Sequence, residues 1–260
     1  DTAAQAAGGI GPFGYQIIDT TASDPAFSAG LEIKAGYVQA NLTQSDALSL
    51  DLGIRYEDAT QEVVPLGLDG RPNGSANATL LNNDYFLPGA TLTWAVMDSV
   101  QLRLNASKTI ARPQFRELIL QTYYDPETNR QFTGNPGLID SRLTNYEARL
   151  EHYWGSNSRA SVAGFYKDIE NPIEIFSSFN DNAVVSRFAN APSAKLYGAE
   201  VEIQWNKDLY SLGDWWDSKR FVAIANYTYT KSDISVESGD LVNVPELGGL
   251  QAATNFFEDG

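Results

Sequence analysis

The chain has 260 residues, no Cys, one His and one Met, and its 33 acidic against 18 basic residues leave a formal net charge of −15. This excludes a disulfide framework, a thiolate nucleophile, a Cys-based zinc or iron–sulfur site and a multi-histidine metal centre. It also argues against nucleic acid as a partner, because tracking phosphates needs clustered Lys and Arg.

No stretch approaches the ~20 apolar residues of a spanning helix, yet a membrane barrel remains open, since its strands are apolar only at alternate positions. Residues 1–30 begin small and Gly-rich, without the basic and apolar regions of a signal peptide. We assign them to an extracellular loop region and residues 31–260 to a barrel. A strand is expected at 32–42, and the next at 48–62, where Leu48, Leu50, Leu52, Ile54 and Tyr56 oppose Ser49, Asp51, Gly53, Arg55 and Glu57. Strands follow at 84–97 and at 99–111, where Val100, Leu102, Leu104 and Ala106 oppose Gln101, Arg103, Asn105 and Ser107. At 143–155, Tyr146, Ala148, Leu150 and Trp154 oppose Asn145, Glu147, Arg149 and Glu151. After 159–171 comes 195–207, with Ala199, Val201, Ile203 and Trp205 opposite Glu200, Glu202 and Gln204. An eighth strand is expected at 220–232 and a ninth from about Gly249. Such alternation requires a pleated strand with one apolar and one wet face. The chain stops at Asn255-Phe256-Phe257-Glu258-Asp259-Gly260, where another strand-like pattern starts, and both ends read as cuts within a longer chain.

The connections alternate between short (Thr43–Ala47, Asp98, Ser156–Ser158) and long (Val63–Asn83, Arg112–Arg142, Pro172–Ala194, Asp233–Gly248), with Asp208–Lys219 intermediate. Outer-membrane barrels have this asymmetry of short periplasmic turns and long extracellular loops. It makes Leu48–Glu62 and Ser99–Ala111 run outward, and Asp84–Met97 and Leu143–Gly155 inward. Tyr85, Phe86, Tyr153, Trp154, Trp205, Tyr227 and Tyr229 lie toward strand ends, as interfacial girdles would. Asp51, Arg55, Glu57, Arg103, Glu147, Arg149, Glu151, Glu200 and Glu202 share the wet face, too much charge for a soluble core but suited to a polar lumen.

The run Ser107-Lys108-Thr109-Ile110-Ala111-Arg112-Pro113-Gln114-Phe115-Arg116-Glu117-Leu118 resembles the strand-to-loop junction of TonB-dependent outer-membrane receptors. Gly134-Asn135-Pro136-Gly137-Leu138, Thr144-Asn145-Tyr146-Glu147, Gly164-Phe165-Tyr166-Lys167-Asp168-Ile169 and Tyr197-Gly198-Ala199-Glu200-Val201-Glu202 follow in the family's order. The resemblance implies an all-β fold, an antiparallel up-and-down transmembrane barrel of which this chain holds about nine of 22 strands, without the plug or the C-terminal strands. It implies location in the outer membrane, a receptor and transporter rather than an enzyme, and no cofactor. Implied partners are outer-membrane lipid and lipopolysaccharide, the TonB complex acting through the missing plug, and a small solute.

Within that frame, Arg112, Arg116, Glu117, Tyr123, Tyr124, Asp125, Asn129 and Arg130 form the richest loop, and Phe179, Asp181 and Arg187 a second one. Tyr faces beside Asp, Asn and Arg suit a polar, hydroxyl-bearing ligand. The reading leans toward a carbohydrate, with an iron chelate as the alternative. Asp69-Gly70-Arg71-Pro72-Asn73-Gly74 reads as a turn, since the spaced oxygen ligands of an EF-hand are missing. His152 shares the parity of Leu150 and Trp154 and reads as interfacial and structural. Competing readings are a passive porin, a barrel hydrolase built on His152 and a soluble β carbohydrate-binding module.

Overall fold

The computed structural model describes residues 26–67, 70–72, 78–125, 127, 130–155, 157–180 and 183–258. In chain order the strands are β1 (Ala26–Ser45), β2 (Leu48–Leu66), β3 (Thr79–Met97), β4 (Val100–Ala111), β5 (Thr122–Asp125), β6 (Arg130–Thr133) and β7 (Ser141–Trp154). They continue with β8 (Ser158–Glu170), β9 (Ile173–Asn180), β10 (Ala183–Asn190), β11 (Ser193–Asp208), β12 (Arg220–Ser235), β13 (Leu241–Val244) and β14 (Gly249–Ala252). Eight of them form one sheet in the order β1-β2-β3-β4-β7-β8-β11-β12, with every neighbour antiparallel. This up-and-down meander is part of a barrel wall.

The wall strands start earlier than the alternation suggests: β1 at Ala26 and β3 at Thr79. Beyond the bilayer both faces meet water or protein, so the apolar–polar contrast that marks a strand fades while the ladder continues. The ninth wall strand expected from Gly249 does not exist among the described residues. Gly249–Ala252 instead pairs with Leu241–Val244 in a two-stranded ribbon, and the chain then turns at Ala253–Asn255 to bury Ala253 and Phe257. Four alternating residues fit a local hairpin as well as the start of a wall strand, and the buried Phe257 decides between them.

The register confirms the two faces. Leu50 opposes Leu42 and Leu92, Leu92 opposes Leu104, Leu150 opposes Leu102 and Val162, and Val162 opposes Val201. Leu42, Leu104, Leu150, Val162 and Val201 of these rows stay exposed, Leu150 at 44% and Val162 at 49%, as residues facing lipid would. Tyr56 and Phe86 touch with centroids 5.0 Å apart, and Tyr146, Tyr166 and Tyr197 stand in one cross-strand row, forming an outer girdle. An inner girdle holds Trp94, His152 stacked on Trp154 (5.5 Å) and Trp205 against Phe221 (5.6 Å). Phe86 and Trp94, eight positions apart on β3, lie roughly 27 Å apart along the strand, close to the ~25 Å apolar band of such barrels. Two aromatics assigned to the girdles face inward instead: Tyr85 donates to Asp140 (2.8 Å) and Tyr153 to Glu151 (2.8 Å).

The other face carries ion pairs across strands. Arg149 joins Glu147 (3.0 Å) to Glu200 (3.3 Å), Arg159 reaches Glu202 (2.7 Å), and Arg103 approaches Glu151 (3.5 Å). On this face the Phe165 ring lies over Gly198, where an added Cβ would sit 2.6 Å from Phe165 Cζ and 2.1 Å from the Tyr229 carbonyl. An aromatic covering a strand glycine is a recurring means of pinning register.

At the inner end the turns are short, and Gly155 (φ 57°) and Asn157 (φ 103°) take the left-handed backbone that tight hairpins demand. The longer Leu209–Lys219 connection holds two 3-10 turns, and Lys219 lies over both Trp215 and Trp216. At the outer end the long loops make structure of their own. The hairpin β9–β10 leaves the wall at Asn171 (φ 53°), between Pro172 and Pro192, which cannot donate to the ladder. It then joins the hairpin β5–β6 in a second sheet of order β5-β6-β10-β9, with β10 parallel to β6.

Candidate functional site

The second sheet and its connections form a cap over the inward face at the outer end of the wall. Val63 of β2 packs with Leu118, Ile119, Phe132, Leu138 and Phe188, and Phe27 and Leu81 border the cluster. A second cluster gathers Phe176, Ala189 and Ala191 against Val242, Val244, Ala253 and Phe257. Polar bonds fix the cap to the wall: Gln61 donates to the Pro113 carbonyl (2.8 Å), Thr79 to that of Leu118 (3.0 Å), and Asn83 and Tyr85 to the Asp140 carboxylate.

Gly134 and Asn135 organise this assembly. Gly134 lies under the 3-10 turn Phe115–Glu117, with room for no side chain between it and the Ile119, Arg116 and Glu117 carbonyls. Asn135, 4% exposed, donates from Nδ2 to the Phe188 carbonyl (3.0 Å) and the Asn243 carbonyl (2.7 Å), and its Oδ1 accepts from Gly137 N–H (2.8 Å). One side chain therefore ties three loops together. Asn190 adds a reciprocal clamp, accepting from Ile139 N–H and donating to the Ile139 carbonyl.

Between the cap and the start of β1 lies a cavity of about 440 Å³ lined by Ala26, Phe27, Arg116, Ile119, Gln121, Tyr123 and Tyr124. Three of the candidate residues, Arg116, Tyr123 and Tyr124, thus meet at one hollow. The Arg116 guanidinium lies 5.2 Å from the Tyr123 ring centroid. Tyr123 in turn stacks on Phe132 and Phe132 on Phe188, each at 5.8 Å, so the cavity wall is held by the cap core. Burial raises the Tyr123 hydroxyl pKa, with Arg116 opposing the rise, so the phenol stays protonated and available as a donor.

The other candidates stand elsewhere. Arg112 reaches Glu57 (2.5 Å), which also holds Arg55 (3.0 Å), so Arg112 fastens the loop root to the wall. Glu117 accepts from the Gln114 N–H (2.9 Å) and shapes the turn that carries Arg116. Asp125 and Arg130 face each other at the open end of the β5–β6 ladder. Arg187 is buried and paired with Glu246. Phe179 opposes Val184 in the β9–β10 ladder, while Asn129 and Asp181 lie outside the described residues. Phe27, Ile119 and Gln121 line the cavity without having been singled out from the sequence. Phe27 stands at the head of β1, Ile119 and Gln121 sit in a loop without periodicity, and only the quoted motif around Asn135 signalled the anchor beneath them.

Two cap carboxyls are displaced by burial. Glu117 and Glu174 both have pKa values raised above 4.5, desolvation being the leading cause. A carboxyl whose folded pKa is raised binds protons more readily in the folded state. The stability that these two groups contribute is therefore fully present below about pH 4.5 and is lost as pH rises through their folded pKa values. Glu174→Gln is expected to make the cap of the intact receptor more resistant to proteolysis at pH 7 and to shrink its difference from pH 4. Equal cleavage rates for variant and parent at pH 7 would contradict this.

Over 82% of its length the chain superposes on the alcaligin outer membrane receptor FauA from Bordetella pertussis, at TM-score 0.53 and 18% identity, spanning 32% of that chain. The ferric-catecholate import receptor Fiu from E. coli K12 matches over 83% at TM-score 0.52 and 16% identity, and the copper transporter OprC over 78% at TM-score 0.55 and 14% identity. The chain spans 29% of each of those two. These likenesses show a shared fold. No curated protein matches the chain in sequence. The family model described as TonB dependent receptor-like, beta-barrel, matches residues 2–258, which replaces the readings of a porin, a barrel hydrolase and a soluble module. Meander, girdles, charged inner face and family match agree: the chain belongs to the TonB-dependent receptor family and is part of the barrel wall, with the cap its long loops build, of an outer-membrane receptor.

Proposed function

We propose that the intact protein captures a scarce polar solute, a carbohydrate, in the cap cavity and admits it through the barrel with energy relayed by TonB to a plug outside this segment. One observation carries the reading: Tyr123 and Tyr124 present aromatic surface beside the Arg116 guanidinium and the Gln121 amide in a hollow of about 440 Å³. That volume lies within the range of small-molecule sites, and ring faces beside hydrogen-bonding groups match a molecule with apolar C–H faces and hydroxyl edges. Lipopolysaccharide would surround the outer girdle.

A second reading, an iron chelate, is favoured by two of the matching receptors, which take alcaligin and ferric catecholates, and by the cationic Arg116, which suits an anionic chelate.

Binding to the intact receptor in detergent, measured with a neutral oligosaccharide series and with a ferric catecholate, separates the two. Tyr124 is 58% exposed, so Tyr124→Ala spares the cap core, and Arg116→Gln removes the charge alone. The carbohydrate reading expects each change to weaken oligosaccharide binding about tenfold, near 1.4 kcal/mol. Binding of the chelate alone, lost in Arg116→Gln, would establish the second reading. Unchanged affinity for both ligands in both variants would remove this cavity from the site.

A further inference from the structure

One inner turn is built differently from its neighbours. Asp46–Ala47 and Asp98–Ser99 suffice to join β1 to β2 and β3 to β4, whereas Leu209–Lys219 joins β11 to β12 through two 3-10 turns. Its sequence carries Leu209, Tyr210, Leu212, Trp215 and Trp216, yet neither 3-10 turn contains a buried residue. Tyr210, Leu212 and Trp215 stand exposed, Trp215 at 69%. The turn encloses no core of its own, and its large apolar groups are left on the surface.

The register places that surface. On the lipid side Trp205 is followed by the rung Lys207–Phe221, and the Trp205 and Phe221 rings touch there. Asp208 and Arg220 pair with each other on the opposite face (2.6 Å). The next rung on the lipid side is Leu209–Lys219, closed by a bond from the Leu209 N–H to the Lys219 carbonyl (3.0 Å). The Lys219 ammonium lies over the Trp215 ring and 5.2 Å from the Trp216 centroid, and the two indoles meet edge to face at 4.5 Å. Both tryptophans are thus gathered to the side of the wall that meets lipid.

On a tilted strand rising ~3.4 Å per residue, Leu209 lies roughly 10 Å past Trp205 along the membrane normal, at the level of phospholipid headgroups. Amphipathic indoles favour that level. A Lys lying over them keeps its stem on apolar surface and its ammonium at the phosphates. Asp214 and Asp217 on the same turn balance Lys207 and Lys219, so apolar contact, and not net charge, supplies the attraction. We propose that Leu209–Lys219 is a foot that rests in the membrane. It seats in the phospholipid leaflet at the inner face of the outer membrane, with Tyr210, Leu212 and Trp215 among the headgroups and upper acyl chains and Lys219 at lipid phosphate. Continuity with the lipid-facing wall selects phospholipid over a periplasmic protein as the occupant. The proposal is independent of the solute and of the cap.

Collision accessibility in the full-length receptor, reconstituted in vesicles of phosphatidylethanolamine and phosphatidylglycerol, tests it. A nitroxide on Leu212→Cys, as the sole cysteine, reports collisions with oxygen, which favours lipid, and with a water-soluble nickel chelate present on both sides. Labels on Trp205→Cys and Asp46→Cys give the lipid and water references. The oxygen-to-nickel ratio at position 212 is expected to lie near the lipid reference. It should fall to the water reference when Trp215→Ser and Trp216→Ser are added, with heat-modifiable mobility retained. Trp215→Ser alone takes their place where the double variant does not assemble. A water-like ratio at position 212 in the parent, as a turn awaiting a periplasmic protein would give, overturns the proposal. So does a lipid-like ratio that survives loss of the indoles.

Discussion

Replacing Gly134 with Val is expected to collapse the cap while the wall still assembles. A Cβ at this position would stand 2.2 Å from the Ile119 carbonyl oxygen, 2.7 Å from that of Arg116 and 2.9 Å from that of Glu117. These are backbone atoms of one tight turn, so no rotamer change relieves the overlap. The turn must lift, breaking the bond from Asn135 N–H to the Glu117 carbonyl. Overpacking of this kind costs about 3 kcal/mol, and here it falls on a cap with two small cores and not on the ladders of the wall. Arg116 and Ile119 would leave the cavity with the turn, so solute binding should fall by more than about tenfold. Rapid proteolytic nicking between 112 and 142, with heat-modifiable mobility retained, is the expected signature. A parental cleavage pattern would show that the turn has slack that the contacts do not reveal.

Asn135→Leu should act more widely, loosening three loops at once. The substitution keeps the volume but leaves the Phe188 and Asn243 carbonyls without their donor and the Gly137 N–H without its acceptor. Each buried group left unpaired costs about 1–3 kcal/mol, and three together approach the whole stability of a domain this small. The bonds reach 53 and 108 positions along the chain, so cleavage should rise together in 112–142, in 171–192 and after β12. Asn135→Asp should be more severe, since a carboxylate would face two carbonyl oxygens in a buried site. Sensitivity confined to 112–142 would mean that the other two loops hold without Asn135.

The contrast between wall and cap is physical. In the wall, each residue's face follows from its own parity, and short turns place each strand beside the next, so local alternation and loop length convey both register and order. Even there, Tyr85 and Tyr153 were assigned to girdles because an aromatic near a strand end fits either face, and only the partners Asp140 and Glu151 distinguish them. The β3–β4 ladder is similar: Pro88 stands in plain view in the sequence, but that the pairing ends at Gly89–Ser107 is visible only in the folded register.

By itself, then, the sequence determined the meander, its inward and outward faces, the short and long ends and the family, all carried by periodicity or contiguous motifs. Tertiary structure alone decided that β6 pairs in parallel with β10, that Gly249–Ala252 folds back on β13, and that Arg116, Tyr123 and Tyr124 share a cavity while Arg112 and Arg187 are held in ion pairs. Those contacts join segments far apart in the chain, and their bonds leave no repeat in the sequence, so only packing one loop against another selects them.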